Sequence, residues 1–382
     1  MNQKEVVVFA PLWKKLPVDG YGGIEQVTLE RVKYLRKIGY KVQLIANTDD
    51  FSLADEVLQI QKLFKFPKSK VDHLNWFLSF KWTNYLSSFS KISDMIWEAP
   101  ILSDATAMDP FNNYFLAYSL GIKRVLYYLH GNHYLTNGIA KPLYYPIDKI
   151  TNASLRVNYG SLNTRLAYHL KNRGFRCSYM PNGITFQNFP KVVQEHGNYL
   201  LFVGILNRKK APHLAIEIAK KLSLPLRIVG PIGDRQYFDS ILKGHIGKNV
   251  EYLGEIPRNE LNKEFAKAYG FIFTSQWDDP QPSVVLEATS WGIPVIALNP
   301  GYFSGTYDMV ENFVNGFIGT MDEMILNAKN ALDIDRYTLY ITEKEKWSWE
   351  YILKTYHVPV IEKMREDYET RSYKSKDNSS RI

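Results

Sequence analysis

The ten residues from Asp278 to Glu287, DDPQPSVVLE, place carboxylates at both ends of a proline-broken loop that leads into an apolar run. Ser283 reads as the N-cap of a helix running to about Trp291, because a hydroxyl there satisfies a first-turn N–H. Glu287 then lies one turn along, on the same helical face as Ser283. Asp279 stays in the loop, so the two acids reach one cleft from different elements. Each carboxylate accepts several hydrogen bonds, which suits a hydroxyl-rich ligand. Acids near a helix start also serve simply as partners of the helix dipole, and the pattern leaves both readings open.

A second candidate is GYGGIE, Gly20 to Glu25. Glycines there let backbone approach a ligand, and a helix N-terminus offers unpaired N–H groups to an anion. The dinucleotide fingerprint fails, because its third glycine falls on Glu25 and the loop from Pro11 is too long for a tight βα turn. Glycines serving only a turn are the plainer alternative. His130 closes the run RVLYYLH, where a lone histidine is either structural or a ligand contact.

These residues need a scaffold, and the second half of the chain supplies its pattern. Short apolar runs recur at YLLFVG, LPLRIVG, NVEYLG, GFIFTS and IPVIAL. Helical segments such as PHLAIEIAKKL and PRNELNKEFAKAY alternate with them, each with proline expected in its first turn. The alternation predicts a parallel sheet covered on both faces. The first half opens similarly, with VVVFAP and KVQLIAN as strands. The helix between them, starting near Ile24, is expected to bury Ile24, Val27, Val32, Leu35 and Ile38. Two Rossmann-like domains place a natural ligand site in the cleft between them.

The 382 residues carry a formal charge of +8, and all of the excess lies in residues 1–182, where 23 basic residues face 14 acidic ones. Nucleic acid, an anionic membrane or a phosphate-bearing substrate would each suit that excess, as would solubility alone. One cysteine, Cys177, excludes a disulfide framework and a cysteine-built zinc site. The N-terminus is too charged for a secretory signal, and no run of 18 apolar residues occurs, so a soluble cytoplasmic protein is expected. Residues 58–91 interleave six lysines with aromatics, among them Trp76, Phe77 and Trp82. An interfacial segment has this pattern, which makes an anionic inner-membrane surface a candidate partner. Aromatics packed in a core beneath solvated lysines are the alternative.

Taken in order, the motifs resemble those of retaining glycosyltransferases of the family-4 type, glycosyl transferases group 1, which have the two-domain GT-B architecture. GYGGIE is similar to that family's glycine loop and YYLHG to its strand-ending histidine. VNYGSLNTR is similar to its VSE..R segment, PNGI to the domain junction, and FVGILNRKKAPHLAIEIA to the phosphate-binding strand and helix. DPQPSVVLEATSWGIPVIA is similar to its E-x7-E segment, and WSWEYILKTY to its terminal helix. The resemblance implies an α/β chain with an acceptor-binding domain over 1–182 and a nucleotide-sugar domain over 183–346. A helix over 347–368 would cross back to the first domain, and a polar tail would occupy 369–382.

The resemblance also implies roles. Glu287 would hold the donor ribose, Asp279 the transferred sugar, and Lys210 the diphosphate. Gln281, Pro282 and Ser283 would line the loop whose backbone N–H groups meet sugar and diphosphate. Gly22, Gly23 and His130 would contact the donor from the first domain. The arginine expected after Gly204 is Ile205, with Arg208 as a substitute, and Ala211 stands where glycine is usual. The expected reaction is hexosyl transfer with retention from a nucleotide-diphosphate sugar to a sugar, lipid-linked or other hydroxyl acceptor. No metal, other cofactor or nucleic-acid partner is expected. The alternatives are a GT-B epimerase, which would need catalytic carboxylates and histidines in both domains, and a nucleic-acid-binding or scaffolding protein.

Overall fold

The structure, a computed structural model, describes residues 4–10, 15–18, 23–59, 96–101, 125–129, 158–186 and 197–367. Gly22, His130, residues 60–91 of the lysine-rich segment and the polar tail lie outside the described residues. The chain divides into two units. One joins Met1–Pro181 to Ile352–Ile382, and the other is Asn182–Tyr351.

The first unit is built on parallel strands β1 (Glu5–Phe9), β2 (Lys41–Ala46), β3 (Glu56–Gln59), β4 (Ile96–Ile101), β5 (Val125–Leu129), β6 (Asn158–Ser161) and β7 (Cys177–Tyr179). Their order is β3-β2-β1-β4-β5-β6-β7, the Rossmann pattern extended by one strand. Strand β2 buries Val42, Leu44, Ile45 and Ala46, as a parallel strand covered on both faces must. Cys177 is buried, and desolvation pushes its thiol up to about 12, so it stays protonated.

Helix α1 (Gly23–Lys37) follows β1. Val32 and Leu35 are buried as expected, but Ile24, Val27 and Ile38 are only half covered. Glu25, Thr28 and Arg31 take the inner face instead. Two of these polar groups have partners that hydropathy does not register. Thr28 donates to the Ile24 carbonyl at 2.8 Å, and the Arg31 guanidinium lies 3.7 Å from the Tyr128 ring centroid. Helix α2 (Thr164–Asn172) is capped by the side chain of Asn163.

The second unit has strands β8 (Leu200–Val203), β9 (Leu226–Val229), β10 (Val250–Gly254), β11 (Gly270–Phe273), β12 (Val295–Leu298) and β13 (Gly316–Gly319). Its order, β10-β9-β8-β11-β12-β13, is the six-stranded Rossmann order with every paired strand parallel. The helices are α3 (Pro212–Lys221), α4 (Arg258–Lys267), α5 (Ser283–Ser290), α6 (Met321–Leu332) and α7 (Arg336–Trp347). Pro212 is the first residue of α3, but Pro257 stands one place earlier, at the N-cap of α4. Ser283 is likewise the first helical residue rather than the cap. Extended Pro282 is the boundary, and no side chain caps α5. At the start of the unit, a Cβ on Gly183 would come within 2.7 Å of the Trp349 backbone, so PNGI needs its glycine for close approach.

Candidate functional site

In an open α/β sheet, ligands collect at the carboxyl ends of the strands where the order reverses. In the second unit that point lies between β8 and β11, and the loops leaving those two strands carry most of the expected site residues.

The first loop runs from Gly204 to Ala211. Gly204 donates its N–H to the Val229 carbonyl at 3.0 Å, so it offers a ligand close backbone approach but no spare donor. Its carbonyl would lie 2.0 Å from a Cβ on Gly230, which keeps position 230 a glycine. Asn207 shapes the turn, its Oδ1 accepting from the Lys210 N–H at 2.9 Å and its carbonyl from Ala211 at 3.0 Å. Ala211 holds a left-handed φ of 49° at the N-cap of α3, and its methyl is fully buried. Ile205 stands in the arginine's place, its Cγ2 only 2.3 Å from where a Cβ on Gly233 would sit.

The second loop leaves β11 as Thr274 to Pro282 and is stitched to the first. Buried Thr274 donates to the Ala211 carbonyl at 3.0 Å, and the Gln276 N–H donates to the Lys209 carbonyl at 2.8 Å. Across this seam the Lys210 ammonium meets the Asp279 carboxylate at 2.5 Å, with side chains 28% and 18% exposed. The loop after β12 supports the arrangement from behind. Gly305 donates to the Asp279 carbonyl at 2.8 Å, and Phe303 to the Asp278 carboxylate at 2.9 Å.

The structure thus brings Lys210 and Asp279 together and separates other expected members. Arg208 is turned away onto the Tyr237 ring, 5.5 Å from its centroid, and Lys209 sits 4.2 Å over Trp277. Tyr237 also donates to His213 Nδ1 at 2.6 Å while accepting the His213 N–H. Desolvation lowers the His213 pKa, which favours the neutral ring. Gln281 grips the unit's first residue, accepting from Asn182 N at 2.7 Å and donating to Asn182 O at 3.1 Å. Its side chain is therefore committed to structure. Pro282 has no N–H, so it shapes the loop without donating. The first-turn N–H groups available at α5 are those of Ser283 and Val284.

Glu287 sits one turn into α5, its side chain 12% exposed, and accepts from Arg258 Nη1 at 2.8 Å. Burial raises its pKa, and the guanidinium opposes that rise. Arg258 is absent from the sequence reading. A signal for it exists, because a cation in the first turn of a helix opposes the dipole and calls for a nearby acid. Gly23 is the first residue of α1. Among the described residues, no group of three or more His, Cys, Asp or Glu side chains could hold a metal ion. No helix there is long and apolar enough to cross a membrane.

Residues 184–328, which contain both loops and α5, match the family model of glycosyl transferases group 1. This segment is similar to a group 1 glycosyl transferase domain. Curated relatives agree at low identity. The chain is 28% identical to spore coat protein SA of Bacillus subtilis over 137 residues, 32% of this chain and 35% of that protein. It is 23% identical to an uncharacterized glycosyltransferase of Haemophilus influenzae, over 85% of this chain and 91% of that one. The chain spans about a third of the length of the first curated relatives it matches.

Solved structures extend the likeness in fold to both units around the matched segment. A glycosyltransferase from Rickettsia africae superposes with a TM-score of 0.68 at 14% identity, covering 95% of this chain and 99% of that one. Anabaena HepE, solved in complex with UDP-glucose, superposes with a TM-score of 0.61 at 14% identity, covering 96% and 99%. At these identities the likeness speaks for the fold, which is the GT-B class of two Rossmann-like units.

Proposed function

We propose that the protein is a retaining glycosyltransferase that moves a hexosyl group from a nucleotide-diphosphate sugar to an acceptor hydroxyl, without a metal. The observation that carries this reading is the Lys210–Asp279 pair at the strand-order reversal inside the matched segment. An ammonium carries three N–H donors, so a lysine beside a carboxylate suits a ligand that presents both hydroxyls and phosphate oxygens. That arrangement brings a sugar carboxylate and a phosphate cation within one hydrogen bond of each other, where a sugar–phosphate junction needs them.

The chemistry follows from charge. The bond between the anomeric carbon and the diphosphate oxygen breaks, and its electron pair stays on that oxygen. Lys210, with the N-termini of α3 and α5, stabilises the developing charge electrostatically and supplies the aid that a metal would give elsewhere. The acceptor oxygen attacks from the same face, and its proton passes to the departing phosphate, so configuration is retained. Asp279, one methylene shorter than the usual glutamate, holds the sugar hydroxyls, and Glu287 accepts from the ribose. Arg208 rests near the same loop and swings from Tyr237 to the diphosphate in place of the arginine that Ile205 replaces. A membrane-bound acceptor would be met through residues 58–91. HepE, with its UDP-glucose complex, supports a uridine donor as the first to try.

The test is a thermal-shift screen of UDP-, GDP-, ADP- and dTDP-sugars in EDTA, followed by proton NMR of the product's anomeric centre. A donor that raises the melting temperature and yields the donor's own anomeric configuration supports the reading. Inversion, or an absolute requirement for a divalent ion, would overturn those parts of it.

A further inference from the structure

We infer that Arg258 is a positioning residue of the donor site, fixing the Glu287 carboxylate for the ribose hydroxyls. The inference rests on the reading above, in which Glu287 takes those hydroxyls. Three observations carry it. The pair is asymmetric, with the acid 12% exposed and the cation 45% exposed, so the guanidinium stands at the rim of a nearly buried carboxylate. An exposed ion pair contributes little, but a buried carboxylate deprived of its partner is strongly disfavoured. The contact is also one-sided. Arg258 bonds Oε2, and among the described residues Oε1 takes no hydrogen bond and remains for a ligand. Finally, Arg258 occupies the first position of α4, against the dipole, where its attraction to Glu287 compensates an unfavourable site.

The electrostatics agree. Burial raises the Glu287 pKa, and Arg258 is the charged group that lowers it. Helix α7, packed on α5, brings Arg336, which is held by the backbone carbonyls of Trp291 and Gly292, and Glu343, whose two oxygens are buried and take no hydrogen bond among the described residues. Glu343 faces Asn315 and Thr289. Without Arg258, Glu287 would protonate at higher pH and lose acceptor capacity for two hydroxyls at once. The acid limb of donor affinity would therefore move upward.

The experiment is calorimetric titration of the full chain with UDP and 2′-deoxy-UDP, or the corresponding guanosine or adenosine pair if that nucleotide binds tighter. Wild type, Arg258→Ala, Arg258→Gln, Arg258→Lys, Glu287→Gln and the double variant Arg258→Ala/Glu287→Gln are compared between about pH 5.5 and 8.5. The neutral Arg258 variants should bind about ten-fold weaker at the acid end and recover toward the alkaline end, with Arg258→Lys within about three-fold of wild type. Glu287→Gln should lose a similar factor at every pH, abolish the preference for the 2′-hydroxyl, and mask the Arg258 change in the double variant. A loss independent of pH, or additive in the double variant, would mean that Arg258 meets the ligand directly and would overturn the inference. Wild-type affinity in Arg258→Gln alongside weakened Glu287→Gln would overturn it too, leaving the donor-site reading intact. Wild-type affinity in Glu287→Gln would overturn both. Arg258→Gln keeps the test open if the alanine variant fails to fold.

Discussion

Both units bring charged and polar side chains into a Rossmann sheet, and they use them in opposite ways. In the first unit, Arg31, Tyr128 and His357 form a closed cluster. His357 Nε2 donates to the Pro181 carbonyl at 2.7 Å, which leaves Nδ1 to accept from the Tyr128 hydroxyl at 3.0 Å. Every ring nitrogen is occupied, the ring is fully buried, and desolvation with nearby Arg31 lowers its pKa to about 3. Its neutral imidazole ties the C-terminal helical segment to β5. In the second unit, Lys210–Asp279 and Glu287–Arg258 each keep one member partly open to solvent. Polarity that is sealed on all sides holds the chain together, whereas polarity left open at a strand-order reversal is available to a ligand.

The sharpest way to break this contrast is to remove the open cation. Lys210→Ala should lower kcat by about two to three orders of magnitude with a smaller change in donor KM, because its charge matters most as the diphosphate departs. Steady-state transfer assays read both constants. A variant that changes KM alone would make Lys210 a binding residue only.

Removing the sealed group should act on stability instead. His357 binds a proton more readily unfolded than folded, so its contribution is full above about pH 6.5 and is lost as pH falls toward about 3. His357→Gln should flatten that acid limb in chemical denaturation while costing about 2–4 kcal/mol near neutrality. Turnover by the folded fraction should be unchanged. Loss of turnover without loss of stability would show that the cluster is not merely structural.

Glu343 tests the second unit with the opposite sign. Burial pushes its carboxyl up to about 7, above its unfolded value. The folded state therefore binds more protons, and stability is lost as pH rises from about 4.5 through 7. Glu343→Gln should gain on the order of 2 kcal/mol at pH 8 and nothing at pH 4, as read by urea midpoints. Equal gains at both pH values would reject an ionisation effect.

The smallest expected change is at the backbone. Ala211 sits in the left-handed region, where the related family uses glycine. Ala211→Gly should raise stability by about 0.5 kcal/mol, strain relief exceeding the added flexibility of the unfolded chain. A lower melting temperature would show that the buried methyl outweighs the strain.

The framework was legible wherever burial and periodicity coincide. The five apolar runs of the second half became β8, β9, β10, β11 and β12. The central strands β8, β11 and β12 are covered on both faces and leave no room for polar alternation, whereas edge strand β10 exposes Glu251. Helix α1 was legible in place but not in orientation, since Arg31 and Thr28 gain partners that only the fold provides. Within the site, the motif order pointed to Lys210 and Asp279, 69 residues apart, but their contact depends on loops sewn together by Thr274 and Gln276. Arg258 escaped because its partner lies 29 residues away on another helix.

On the proposed reading, the reversal point of the second sheet binds a nucleotide diphosphate through Lys210. Calorimetric titration of wild type and Lys210→Met with UDP, GDP and ADP in EDTA tests it most directly. One of the three should bind wild type without a divalent ion and bind Lys210→Met at least about ten-fold more weakly. Equal affinity in the two proteins, or no binding of any nucleoside diphosphate to wild type, would contradict it.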